Sequence, residues 1–502
     1  MVKLPRLYPV VCSALGAALC YYLLAGSVRV TLALWFGILL TALISLIRVL
    51  GTFPILVVGG LENTRLFREI TLSLLALTAG FALGFAARFG APGPVRLGLR
   101  EGKIAGLTGT LMGDPRRLSG GRGMAFLDLE TAAGKDGLRA SACGEVLVFF
   151  PEETVPRLRT FGRLSRVYLE GAFLPPSAGR AGPVFQARGV HILESAPSVE
   201  RFRTGARLAI AGKFSPHAWG GLALALLLGV RDSLETELSA SYRDAGCAHV
   251  LALSGMHLAI VSAVIAFLLK KPLGIKAAAV LGGVFILLYA GLVGSLPSLE
   301  RAVLMYLLGT LAVLGAFPRR PAVLLALAFV IQICLRPASG DSLSFILSYL
   351  ALAGILALGE PLHDLFRGLV PEALSLPLSA SIGAFLATAG VSAASFGILR
   401  PVGIFAGLVI TPLTGVFMIA AMMYLAAAFL PLLPAAPLLG RALSFLYEVL
   451  FRIAGWAGQV PGLEVSNPQT VLAASLAVSA ALVLFWKYRS EKGRRLVPFA
   501  AA

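Results

Sequence analysis

The sequence predicts a polytopic α-helical membrane protein of about ten to twelve spans, with a β-rich extracytoplasmic domain inserted after the third. Three observations lead there. The chain is 58% hydrophobic and only 14% charged, with a mean hydropathy of +0.86, where soluble proteins carry roughly 25% charge. Apolar runs near the ~20 residues a bilayer requires recur at both ends of the chain. Between them, residues 95–213 change character: short apolar runs such as Val146-Leu-Val-Phe-Phe150 and Arg166-Val-Tyr-Leu-Glu170 alternate with turn signals such as Gly113-Asp-Pro-Arg116, Ser119-Gly-Gly-Arg122 and Gly134-Lys-Asp-Gly137. That punctuation reads as strands of a small β-barrel or sandwich.

The first region, 1–94, holds spans at 7–26, 30–50 and 69–88. Lys3 and Arg6 precede the first and no small-residue cleavage site follows it, so it reads as a signal-anchor. Arg48, Arg65 and Arg68 lie between the second and third, and the positive-inside rule then places the N-terminus in the cytoplasm and residue 90 outside. Cys12, Cys20, Cys247 and Cys334 sit in apolar runs, Cys143 does not, and no CxxC occurs. Neither a disulfide framework nor a metal site is expected, and no cofactor.

The inserted domain, 95–213, carries 18 Lys and Arg against 11 Asp and Glu, a surplus of 7 within the chain's net +18. Positive-inside bias does not explain a surplus on the outer side. An anionic partner does, and so does general solubility. Lys103, Arg116, Arg117, Arg122 and Arg139 are the candidates for gathering such a partner.

The membrane core, 214–486, opens with a short apolar helix at 216–230 and an amphipathic stretch at 231–246. Spans follow at 247–269, 274–294, 297–316, 321–335, 342–358 and 375–393. The apolar run 401–433 contains Pro412, which predicts two helical pieces. Residues 437–457 form an amphipathic helix whose Arg441, Glu448 and Arg452 share one face, placing it at the interface or along a wet cavity. The last span, 469–486, ends in Lys487, Arg489, Lys492, Arg494 and Arg495; this basic tail, 487–502, marks the cytoplasmic side.

Within the span 247–269, His249, Ser254, Gly255 and His257 interrupt an apolar run. Polar groups are costly in a bilayer and usually face a partner, a cavity or a pathway. Counting sides from the inserted domain places His249, Arg301 and Asp341 near the outer face. On a continuous helix Ser254 and His257 lie about 7.5 and 12 Å deeper than His249, with His249 and His257 about 80° apart around the axis. Each residue has a plainer reading. Asp341 with Ser342 caps a helix, Arg301 snorkels or pairs with Asp341 or Glu300, and Ser254-Gly255 is a close helix contact.

At these residues the chain resembles the ComEC-type competence protein family. The family pattern G-x-x-H-L-L-A-I-S-G-L-H reads here as Gly246-Cys-Ala-His-Val-Leu-Ala-Leu-Ser-Gly-Met-His257. Leu226-Leu-Leu-Gly-Val-Arg-Asp232 is similar to L-L-x-G-x-x-x, Ser298-Leu-Glu-Arg-Ala-Val-Leu-Met305 to S-x-x-R-A-x-x-M, and Asp341-Ser-Leu-Ser-Phe-Ile-Leu-Ser-Tyr349 to D-x-x-F-Q-L-S-F, in the family's order. The chain departs at Ser344-Phe345-Ile346, and at Gly390 and Gly407, where Pro and Asn are expected. The resemblance implies an OB-like external domain, including Gly109 and Gly113-Asp-Pro115. It also implies a bacterial inner-membrane channel that passes single-stranded DNA during transformation. His249, Ser254, Gly255, His257, Arg301 and Asp341 are then the core candidates. Many members end in a metallo-β-lactamase-like domain. No His-x-Asp-x-Asp-His stands here, so the resemblance implies a non-enzymatic channel with any nuclease on a separate polypeptide. No G-x-x-x-x-G-K-[ST] loop is present, so a separate ATPase or helicase, with DNA-delivery proteins, would supply the pull.

Two other readings compete. An intramembrane serine hydrolase would use Ser254 as nucleophile with a histidine base. A small-solute transporter would show inverted repeats, and none is evident in the sequence.

Overall fold

In the computed structural model the described residues are 9–25, 62–89, 95–99, 101–118, 121–175, 183–294, 296–429 and 436–495. The predicted span 30–50, with Lys3, Arg6 and Arg48, lies outside them, as do the side chains of the tail beyond Tyr488. The fold is a polytopic helical membrane protein with an inserted β domain. Among the described residues six helices are long and apolar enough to cross a membrane, and shorter apolar helical stretches cover Leu75–Arg88 and Pro321–Leu335.

Helices α1 (Pro9–Ala25) and α2 (Glu62–Phe89) pack directly on each other. Gly16, Gly80 and Gly84 lie at the seam, and a methyl on any of them would strike the backbone of the facing helix. Small residues permit this approach where no hydrophobic force drives membrane helices together.

The β domain runs through β1 (Arg96–Leu97), β2 (Ile104–Leu111), β3 (Arg116–Leu118), β4 (Arg122–Gly134), β5 (Arg139–Cys143) and β6 (Glu145–Pro151). It continues through helix α3 (Thr154–Phe161), β7 (Arg166–Phe173) and β8 (Val184–Glu194). Alternation along β4 and β6 sends Ala125, Leu127, Leu129, Val146, Val148 and Phe150 inward. The pairings close a ring: β4 with β2, β2 with β7, β7 with β8, β8 parallel to β6, and β6 back to β4. The result is a closed five-stranded barrel with its helix between the third and fourth barrel strands, which leaves no open edge in the ring.

Helix α4 (Ser198–Phe214) leads into α5 (Gly220–Leu228), whose residues Leu222 to Leu228 are all buried. An all-apolar helix of this kind belongs inside a core. Then come α6 (Thr236–Asp244), α7 (Ala248–Leu251) and α8 (Gly255–Val293). At about 1.5 Å per residue, the 39 residues of α8 span twice a bilayer's thickness. It bends at Pro272, where Gly274 takes φ 75°, so it makes two passes, as the spans 247–269 and 274–294 anticipate. Next come α9 (Pro297–Leu314), α10 (Pro321–Leu335), α11 (Leu343–Phe366) and α12 (Glu372–Phe396), followed by the short β9 (Ile398–Leu399). The chain ends through α13 (Val402–Phe429), α14 (Ala436–Gly458), β10 (Leu463–Glu464) and α15 (Pro468–Arg495).

Two expectations are corrected. The run 401–433 does not divide at Pro412: α13 continues through it, because packed neighbours tolerate one missing hydrogen bond inside a membrane helix. The span 247–269 is not one helix. It breaks at Ala252–Ser254, where Ala252 is extended (ψ 126°) and Ser254 has φ −129° and ψ 177°. The helical-wheel angles and depths that relate His249 to Ser254 and His257 therefore do not hold.

An ionic cluster joins the barrel to the core. Arg203 on α4 is 6% exposed. It donates to both Asp114 oxygens at 3.0 and 2.7 Å, to Glu200 at 3.4 Å, and to the carbonyls of Gly291, Leu292 and Val293 at 2.9, 3.1 and 3.1 Å. Those carbonyls end α8 and have no partner within the helix. Arg207 adds bonds to Leu292 and Val293 at 2.9 and 2.8 Å, and Arg163 pairs with Glu200 at 2.6 Å. Burial pushes the Asp114 carboxyl pKa up, but the Arg203 hydrogen bond and the Arg207, Arg203 and Arg163 charges hold it below its ordinary value. Burial lowers Arg207 to about 10. A second tie joins Arg159 of α3 to Asp232.

Candidate broken-helix site

The break between α7 and α8 is held from both sides. Ser254 caps α8: its hydroxyl accepts the Met256 N–H at 3.3 Å, while His257 Nδ1 accepts the Ser254 N–H at 3.1 Å. This is a capping box with histidine in place of the usual Glu or Gln. Accepting that N–H assigns the ring proton to Nε2. His257 is fully buried, and its Nε2 has no hydrogen-bond partner among the described residues. From α9, Ser298 donates to the Leu253 carbonyl at 2.9 Å, satisfying an acceptor that the break leaves open.

Arg301, one turn further along α9, is 8% exposed. Its Nε donates to Ser348 Oγ at 2.9 Å, its guanidinium lies 5.8 Å from the Tyr349 ring centre, and Nη1 approaches Met305 Sδ at 3.8 Å. Nη2 reaches to 2.9 Å from where a Cβ on Gly255 would stand. Gly255 is thus the space that the guanidinium fills. Among the described residues Arg301 has no carboxylate partner. The expected pairing with Asp341 or Glu300 is not formed. Glu300 engages Arg336 at 2.6 Å and Gln332 at 3.1 Å, and Asp341 pairs with Arg88 of α2 at 2.8 Å. Ser342, not Asp341, caps α11 through the Phe345 N–H at 3.2 Å.

The predicted core residues therefore divide. Ser254, Gly255, His257 and Arg301 meet at one place. His249 is exposed on α7, and Asp341 stands on the same side of the core but ties down α2. The four motif segments do converge. Gly229 packs against Leu253 and Leu296, Ser298 holds the break, and Ser348 and Tyr349 hold Arg301. Sequence reasoning missed Gln332, a polar residue in the apolar α10. It donates to Pro297 O at 3.0 Å and accepts from Tyr349 at 2.9 Å. A solitary amide at membrane depth was the available signal.

The five basic barrel candidates also divide. Lys103 and Arg139 stand at the end of the barrel where β4 finishes, since the Lys135 N–H bonds Lys103 O and Arg139 is in register with Ala133. Arg116, Arg117 and Arg122 stand at the other end, about 40 Å away along β4 at ~3.3 Å per residue, on the side of the core. Arg117 is engaged by Glu152. Arg116 is in register with Met124, which faces Phe149, and Phe126 faces Leu147. These residues lie outside the barrel interior, and Phe126 is 48% exposed.

On α14, Leu443, Tyr447, Leu450 and Ala454 are buried. Glu448 and Arg452 are exposed and 3.9 Å apart. Arg441 lines a cavity of about 430 Å³ with His217, Tyr424 and Ser444. His217 stacks on Trp219 with centroids 4.6 Å apart and hydrogen-bonds Tyr424 at 2.7 Å.

Two serine–histidine contacts occur among the described residues: His363 with Ser375 at 2.9 Å and, at this site, Ser254 with His257 at 3.1 Å. As nucleophile and base, such a pair needs the base oriented by a third group. Here Nδ1 is already occupied by a backbone N–H, and Nε2 has no such group among the described residues. No cluster of metal-ligating residues occurs among the described residues.

Fold and site define a polytopic membrane protein built around a discontinuous helix beneath a β-barrel. Its core belongs to the Competence protein family, whose family model matches residues 226–492. The match takes in all four motifs and leaves the barrel outside it. The chain is similar to ComE operon protein 3 of Bacillus subtilis (strain 168), 33% identical over 138 residues, which is 26% of this chain and 17% of that protein. It thus matches about a sixth of that relative's length. No solved structure matches the chain.

Proposed function

We propose that this chain is a channel that conducts single-stranded DNA inward across the bacterial cytoplasmic membrane during competence. The barrel lies outside, both termini are cytoplasmic, and lipid surrounds the helices. Membership of the Competence protein family supports the DNA role. The observation that carries the residue-level reading is the convergence of Ser254, Gly255, His257 and Arg301 at a helix break on the barrel side. Broken membrane helices present positive N-terminal ends to anionic substrates. A strand of any sequence needs cations for its phosphates and flat apolar groups for its bases. Arg116 and Arg122 supply the first, and Phe126 and Phe149 the second, on a barrel whose strand connections suit an OB-like fold. Lys103 and Arg139 form an outer contact, separate from the first.

In this reading the core serves as the conduit, and an ATPase or helicase, DNA-delivery proteins and any nuclease act alongside it. Binding of a labelled oligothymidine to the full-length protein in nanodiscs tests the reading. Binding at low salt that weakens with rising salt and exceeds duplex binding supports it; no binding at low salt overturns it.

A further inference from the structure

Acidic groups at the barrel–core junction are consumed by neighbouring cations. Asp114 takes Arg203 and Arg207 at 2.7 and 3.5 Å, Glu200 takes Arg163, Asp232 takes Arg159, and Glu152 takes Arg117. Arg116 and Arg231 are exposed, and neither forms an ion pair or side-chain hydrogen bond among the described residues. Arg231 follows the left-handed Gly229 (φ 69°), which packs against Leu253 of the break. Arg159 donates to the Pro115 carbonyl at 3.0 Å and pairs with Asp232, so one side chain ties the neighbour of Arg116 to the neighbour of Arg231 and brings the two cations to the same junction. At the break stands Arg301, also without a carboxylate among the described residues.

Among the described residues, Arg116, Arg231 and Arg301 therefore form a series of cations with no paired acid. The N-terminus of α8 lies in the series, together with the buried, unpartnered Nε2–H of His257. Like charges repel when held together in a partly desolvated site, so such an arrangement is suited to an anion from outside the chain. We infer that Arg231 is a phosphodiester-binding residue that hands the strand from Arg116 on the barrel to the helix break at Ser254–His257 and Arg301. The site takes the backbone phosphate of a nucleic acid strand, without reading its bases.

This inference rests on the DNA-conducting reading, and the test separates the two. Labelled oligothymidine is titrated onto full-length protein in nanodiscs of neutral lipid over a series of salt concentrations, using wild type, Arg231→Gln, Arg231→Lys and Arg301→Gln. In wild type, log affinity falls linearly with log salt, and each phosphate contact contributes about 0.7 to the slope on a single strand. Arg231→Gln is expected to reduce that slope by about 0.7 and weaken binding, and Arg231→Lys to restore both. An intact gel-filtration profile and melting temperature qualify each variant. Arg231 is exposed, so its variants keep the test valid if Arg301→Gln fails to fold. Wild-type slope and affinity in Arg231→Gln overturn the inference while leaving the DNA reading intact. No binding by wild type at low salt overturns both. A parallel arm measures retention of phosphatidylglycerol. Loss of that lipid in Arg231→Gln with unchanged oligonucleotide binding assigns the site to a membrane headgroup and overturns the inference.

Discussion

Arg203→Ala breaks the junction between barrel and core. The side chain is 6% exposed, and it holds two carboxylates and three helix-terminal carbonyls at once. Removing one member of a buried ion pair costs about 3–5 kcal/mol, chiefly because it leaves a charge without its partner. Arg207 remains 3.5 Å from Asp114 and keeps its bonds to Leu292 and Val293, and Arg163 keeps Glu200. The expected loss is therefore at the low end, about 3 kcal/mol, or roughly 150-fold in the docked-to-undocked equilibrium at 1.4 kcal/mol per decade. Native-state hydrogen exchange reads this directly. The Gly294 amide, bonded to Ala290 O at 2.8 Å, is expected to exchange about two orders of magnitude faster in the variant, while amides inside the barrel such as Val148 keep their protection. Unchanged exchange at Gly294 would refute the assignment of Arg203 as the junction's central tie.

The same junction is expected to depend on pH. The folded state holds Asp114 below its unfolded pKa, so its contribution is complete above the unfolded value of about 3.9 and is lost as pH falls toward the lower folded value. Pepsin cleavage between barrel and core should rise as pH drops below that value, and Asp114→Asn should cleave readily throughout; a flat wild-type profile would contradict this. Ser254→Ala removes the α8 cap and is expected to cost about 1 kcal/mol, measured as a lower melting temperature in detergent. At Gly354 a methyl would collide with the Gly383 carbonyl and the Ala387 side chain. Gly354→Ala is therefore expected to destabilise the α11–α12 pair by about 1–3 kcal/mol, and melting at the wild-type temperature would show that the helices separate without cost.

Most elements were legible because their signals are local. Apolar runs near bilayer length, strand-length runs between turn residues and the amphipathic 437–457 need only composition and period. The break at Ala252–Ser254 was not legible as a break, since Val250-Leu-Ala-Leu253 is as apolar and helix-compatible as its surroundings. Only Ser254 with His257 three residues on, a capping pattern with an unusual third-position residue, marked a helix start inside the run. Pro412 misled in the opposite direction, because tertiary packing overrides the local penalty. The partners of Arg301 and Asp341 come from α11 and α2, distant in sequence, and their pairing follows from three-dimensional packing that no spacing encodes. Arg231 lay inside a quoted motif. Its importance emerges only when the acids around it are found to be occupied.

The central claim concerns conduction of a strand past the helix break. Its most direct test is entry of labelled DNA into cells that depend on this chain for uptake, comparing wild type with His257→Ala and Arg301→Ala at verified expression. The account predicts that both variants still bind DNA at the cell surface but lose internal, protected strand. Internalisation at the wild-type level in both variants would contradict it.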